Sequence, residues 1–73
     1  MINIEIGSIH KLFEKGFGFI TKEEGADIFF HANNIADGTE FQDLRVGQRV
    51  EFSIAETPKG PAAVDIVLAG SKR

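Results

Sequence analysis

The chain has 73 residues, no cysteine, and 8 Lys+Arg against 11 Asp+Glu, for a net charge of −3. One small domain is all that this length allows. Without thiols there is no disulfide, no thiolate ligand and no cysteine nucleophile. The acidic balance argues against charge-driven binding to duplex DNA, and no run is apolar and long enough for a membrane span or signal peptide. The aromatic content is seven Phe with neither Trp nor Tyr, which is many large rings for so small a core.

Glycine and proline punctuate the chain at Gly7, Gly16, Gly18, Gly25, Gly38, Gly47, Gly60, Pro58 and Pro61. Between them, strands are predicted near Asn3–Leu12, Phe17–Lys22, Asp27–His31, Arg49–Glu56 and Ala62–Leu68. No window carries a helical stripe of ten residues or so. Five short strands without a helix predict an all-β, five-stranded antiparallel barrel, because closure leaves no sheet edge exposed.

In the first strand Ile4 and Ile6 share one phase and Ile9 the other, so a bulge is expected near Gly7. Beyond it, either Leu12 or Phe13 can turn inward. In the second strand Phe17, Phe19 and Thr21 share a face with Lys15, and Ile20 lies opposite with Gly16 and Gly18. In the third, Ile28 and Phe30 face one side; Asp27, Phe29 and His31 face the other. The charged neighbours mark the wet side, so Phe17, Phe19 and Phe29 are expected to be displayed and Phe30 buried. Val50, Phe52 and Ile54 form the inward set of the fourth strand. Val64, Ile66 and Leu68 form that of the fifth.

The turn Glu23-Glu24-Gly25-Ala26 joins the second and third strands into a hairpin, which sets their outward faces side by side. Three displayed rings then stand near Lys15 and His31. The stretch from Ile9 to Lys22 holds Lys11, Lys15 and Lys22 against Glu14 alone. Rings interleaved with lysines suit a single-stranded nucleic acid, with π faces for bases and cations for phosphates. An exposed apolar patch also suits a protein contact, so a protein-interaction module on the same barrel, with reduced nucleic-acid binding, is the second reading. No nucleophile, base and orienting group can be assembled. His10 and His31 alone do not make a zinc site. Neither catalysis, nor a metal, nor a cofactor is expected.

Lys15-Gly16-Phe17-Gly18-Phe19-Ile20 resembles the first ribonucleoprotein motif of the bacterial cold-shock proteins, and Asp27-Ile28-Phe29-Phe30-His31 resembles their second. Phe41, then Leu44-Arg45-Val46-Gly47-Gln48-Arg49-Val50-Glu51-Phe52, is similar to the family's segment leading into its fourth strand. Lys59-Gly60-Pro61-Ala62-Ala63 is similar to its final turn and strand. The resemblance runs from about Ile4 to Leu68. It implies an oligonucleotide-binding (OB) barrel over residues 1–70, followed by a short basic tail at 71–73. It further implies binding of single-stranded RNA and DNA by stacking, as an RNA chaperone or a regulator of transcription or translation in the cytoplasm. A monomer is favoured.

The resemblance places Phe17, Phe19, Phe29 and His31 on stacking positions, Lys15 on a basic contact, and Phe41 on a loop aromatic that closes over a base. Two departures follow. Lys11 stands where the family's first strand carries a tryptophan, with a shorter connection after it; there it is expected to contact phosphate. Ala32 stands where an aromatic commonly follows the histidine.

Overall fold

The computed structural model describes residues 4–69. The expected tail at 71–73, and Asn3 at the start of the first expected strand, lie outside the described residues. Five strands form: β1 (Glu5–Phe13), β2 (Phe17–Lys22), β3 (Asp27–His31), β4 (Arg49–Thr57) and β5 (Gly60–Leu68). Single 3₁₀ turns at Ala32–Asn34 and Phe41–Asp43 interrupt the long connection between β3 and β4. No helix among the described residues is long and apolar enough to cross a membrane.

The strands close into a barrel in the order β1-β2-β3-β5-β4. Pairing is antiparallel except where β3 meets β5, which is parallel at Phe29↔Ala62. β1 is the strand shared by both halves. Its start pairs with β4, from Glu5↔Phe52 to Ser8↔Arg49, and its length from Gly7 onward pairs with β2. At Gly7 the strands crowd: an added Cβ would lie 2.5 Å from the Thr21 carbonyl oxygen and 2.8 Å from Ile20 Cγ2.

The core consists of Ile9, Ile20, Ile28, Phe30, Leu44, Val50, Phe52, Ala63 and Ile66, with Leu12, Ile35, Phe41 and Leu68 packed against it. The inward layers follow the register. Ile9, Ile20 and Ile28 align across β1, β2 and β3, and Leu12, Gly18 and Phe30 align in the next layer. Gly18 has no side chain where the Phe30 ring passes: a Cβ there would come within 2.9 Å of Phe30 Cε1 and closer still to the Lys11 carbonyl oxygen.

The position of one bulge and two inward assignments differ from expectation. The bulge in β1 falls at His10, between the pairs Ile9↔Ile20 and Lys11↔Phe19, and not near Gly7. Gly7 and Ile9 therefore share the inward phase, and Ile4 is 56% exposed. After the extra residue Leu12 points in and Phe13 points out. In β5 the expected inward Val64 is only half-buried and Ala63 takes its place at 0% exposure. The cause is a second bulge. β5 holds one residue more than β4 between Ser53↔Val64 and Glu51↔Val67, and Asp65 adopts a left-handed backbone with φ 54°. This extra residue moves the inward phase from Ala63 to Ile66. Ile54, also expected inside, is 37% exposed and lies beyond the last described pair of β4 with β1, Glu5↔Phe52.

Asp37 ties the long connection to the end of β5. Its Oδ2 accepts from the Leu68 N–H and its Oδ1 from the Thr39 N–H, both at 3.0 Å. Partial burial works to raise its pKa, but the hydrogen bonds from Thr39 and Leu68 together outweigh it and hold the carboxyl below the ordinary aspartate value. With the folded pKa depressed, the stabilisation is fully present above the unfolded value and is lost as pH falls through the folded one. Asp37→Ala is therefore expected to lower the urea midpoint at neutral pH, with the gap from the parent closing as the solution is acidified below the carboxylate range. A gap independent of pH would show that the carboxylate charge is not what holds the connection.

Candidate nucleic-acid interface

The outward residues of β1, β2 and β3 line up in two rows. One row runs Phe13, Phe17, His31; the next runs Lys11, Phe19, Phe29. The four rings touch in sequence. Phe13 stacks on Phe17 with centroids 4.8 Å apart and planes at 23°. Phe17 lies 5.8 Å from Phe29, and Phe19 meets Phe29 edge-on at 6.0 Å and Phe13 at 6.2 Å. All four point away from the core; for Phe17, Phe19 and Phe29 the alternation in β2 and β3 predicts it, and for Phe13 the structure decides it. Phe29 and Phe13 are each 37% exposed. Phe17 and Phe19 are half-buried, less exposed than expected, because neighbouring rings of the same cluster cover them.

His31 ends β3 at the edge of this cluster. Its Nδ1 accepts from the Asn33 N–H at 3.1 Å, while its own N–H donates to Asn34 Oδ1 at 3.0 Å. This reciprocal cap fixes the imidazole and, in the neutral ring, leaves the proton on Nε2. The exposed ring is thus held by the turn that follows it.

Lys15 sits exposed in the tight turn between β1 and β2, which closes through the Gly16 N–H to the Phe13 carbonyl at 3.0 Å. Gly16 there has φ 94°, a conformation that favours glycine. Its carbonyl also accepts from the Ala32 N–H at 2.8 Å, which docks the turn against the end of β3. Lys11 is exposed beside Phe19. Lys22, counted with the basic strip in the sequence, is half-buried and paired with Glu24 at 3.3 Å. Phe41 is placed apart from the four-ring cluster. Its half-buried ring packs 6.1 Å from the core ring of Phe30.

Two depressions flank the rings. The larger, about 580 Å³, runs from Phe19 and Phe29 over Ala62 to the β4–β5 hairpin, where Thr57, Pro58, Lys59 and Pro61 form its far wall. The smaller, about 330 Å³, lies on the other side, between Phe13 and Phe41. Phe13, Lys59 and the two prolines are the additions that the structure makes to the residues singled out from sequence. For Phe13 the signal was present but ambiguous, since its phase turns on where the bulge falls. For the hairpin residues only the barrel's closure, through Phe29↔Ala62, brings them to the rings.

The family model described as the 'Cold-shock' DNA-binding domain matches residues 5–69. The chain belongs to the cold-shock domain family. It is 51% identical over 55 residues to cold shock-like protein CspJ of Salmonella typhimurium, covering 74% of this chain and 77% of that one. It is 52% identical over 54 residues to probable cold shock protein A of Mycobacterium tuberculosis, covering 73% and 79%. Among solved structures, drosophila Unr CSD456 matches with a TM-score of 0.75 at 28% identity, over 99% of this chain and 30% of that longer one. The cold-shock domain is a nucleic-acid-binding family, and the five-stranded barrel is the fold that its members share.

Proposed function

We propose that this protein binds single-stranded RNA and DNA by stacking bases on Phe17, Phe19, Phe29 and His31, with Phe13 extending the platform. Lys11, Lys15 and Lys59 contact the phosphates, and Phe41 closes over a base at one end. One observation carries the reading: four phenylalanine rings in mutual contact on the outward side of a sheet, bordered by exposed lysines. Such a surface is costly to leave in water, and aromatic platforms with cations are how sequence-tolerant single-strand binders work. A protein that captures single strands and not duplex shifts RNA folding equilibria by mass action without ATP. That is the action of a cytoplasmic RNA chaperone, or of a regulator of transcription or translation.

The salt dependence of binding tests the mechanism. Each phosphate contact contributes about −0.7 to the slope of log K against log salt for single strands. Three lysines therefore predict a slope no steeper than about −2.1. Lys15→Ala is expected to flatten it, whereas Phe19→Ala is expected to cost about 1–3 kcal/mol at every salt concentration with the slope unchanged. The measurement is a titration of end-labelled oligonucleotides, since the protein lacks Trp and Tyr as reporters. A slope steeper than about −3, or equal affinity for duplex, would sink the stacking mechanism. No binding at all would turn attention to a protein partner for the same face.

A further inference from the structure

The smaller groove, between Phe13 and Phe41, has a composition unlike the rest of the face. Leu12, Phe13, Phe41 and Leu44 supply its apolar walls, and its polar lining is Glu14 and Gln42. None of its described lining residues is cationic, a composition that does not suit phosphate. Among the described residues, neither the Glu14 nor the Gln42 side chain makes a hydrogen bond or ion pair. One face of the Phe13 ring is covered by Phe17, and Phe13 also borders the groove. A strand stacked along the Phe17 row is thereby led directly into it.

We infer that this groove is a base-selective subsite that prefers guanine. The inference rests on the single-strand reading of the ring cluster and adds to it a base identity at one end. A carboxylate only accepts hydrogen bonds. Guanine is the base whose Watson–Crick edge presents two adjacent donors, N1–H and the 2-amino group, which one carboxylate takes together. Adenine and cytosine offer a single amino donor next to an acceptor nitrogen. Thymine and uracil flank their one N–H with two carbonyl oxygens, which Glu14 repels. The Gln42 amide can donate to guanine O6 on the same edge. Unstacked bases in single strands are read on these edges. A volume of about 330 Å³ admits one base between two rings. Lys15, next in the chain to Glu14, is placed in the turn where it can hold the adjoining phosphate. The carboxylate that weakens the local positive field thus selects the base.

The test uses an end-labelled oligothymidine of about seven nucleotides and versions carrying a single dG, dA or deoxyinosine at each position in turn. At one position near an end, dG is expected to bind at least about fivefold more tightly than dT or dA, the discrimination of one bidentate pair. Deoxyinosine, lacking the 2-amino group, should lose most of that advantage. In Glu14→Gln, whose exposed site leaves folding undisturbed, the dG-to-dT affinity ratio at that position should fall below about twofold. A parent protein with no position-specific dG preference, or a preference that survives Glu14→Gln, overturns the guanine subsite while leaving the stacking face intact. Failure of every oligonucleotide to bind overturns both.

Discussion

Phe30→Ala is expected to leave most of the protein unfolded at room temperature, while Phe29→Ala, one residue away, folds normally and binds poorly. Phe30 is fully buried; it faces Gly18 across the β2–β3 pair and packs against Phe41. Removing a buried phenylalanine costs about 3–5 kcal/mol. A core in a chain of this length provides about 3–5 kcal/mol in total, so nothing remains to hold the barrel closed. Phe29 points the other way. Its truncation opens no cavity in the core and removes ring contacts with Phe17 and Phe19 on the surface. The loss appears instead in oligonucleotide affinity, at about 1–3 kcal/mol, or roughly five- to 150-fold. Far-UV circular dichroism with urea denaturation reads the first effect and oligonucleotide titration the second. A folded Phe30→Ala beside an unfolded Phe29→Ala would mean that β3 is turned over.

Gly18→Ala is expected to damage folding and binding together. A methyl group at this position would collide with the Lys11 carbonyl oxygen and with Phe30 Cε1. The first is backbone and can yield only if β1 moves away from β2. The second is a core ring with no spare volume to enter. Overpacking of this kind costs about 1–3 kcal/mol, a large share of the total. Gly18 also lies between Phe17 and Phe19, so any relaxation that relieves the clash displaces both rings and the neighbouring Lys11. Urea midpoint and affinity should therefore fall together. Gly16→Ala separates the two causes. There a Cβ meets nothing closer than the Ala32 Cβ at 3.9 Å, and only the left-handed φ is strained, at about 1–2 kcal/mol. A Gly18→Ala protein as stable as the parent would show that the β1–β2 layer is less tightly closed than the structure has it.

The limits of β2 and β3, and the faces of their phenylalanines and isoleucines, were legible in the sequence, although Lys22, counted with the outward strip, lies in the phase of Gly7. Both strands alternate cleanly, with Ile20, Ile28 and Phe30 on one side and Phe17, Phe19 and Phe29 on the other, and charged neighbours mark the wet side. Two-residue periodicity is a local property, so the local chain determines it. The family, too, was readable from those two segments together with residues 44–52 and 59–63, in their order and spacing.

The phase of β1 and β5 was decided only by the tertiary structure. Each carries an extra residue, at His10 in one and near Asp65 in the other, and neither is a glycine that would announce a bulge. Closure of a five-stranded barrel forces β1 to pair with both β2 and β4, and β5 with both β4 and β3. Two neighbours can be satisfied by one strand only if it bends, and the bulge supplies the bend. From that bend follow the burial of Ala63 in place of Val64 and the outward turn of Phe13. The groove beside Phe13, and the hairpin wall formed by Pro58, Lys59 and Pro61, then depend on contacts between residues far apart in the chain. Alternation fixes which side of its own strand a ring is on; which rings and charges meet across strands is fixed only when the barrel closes.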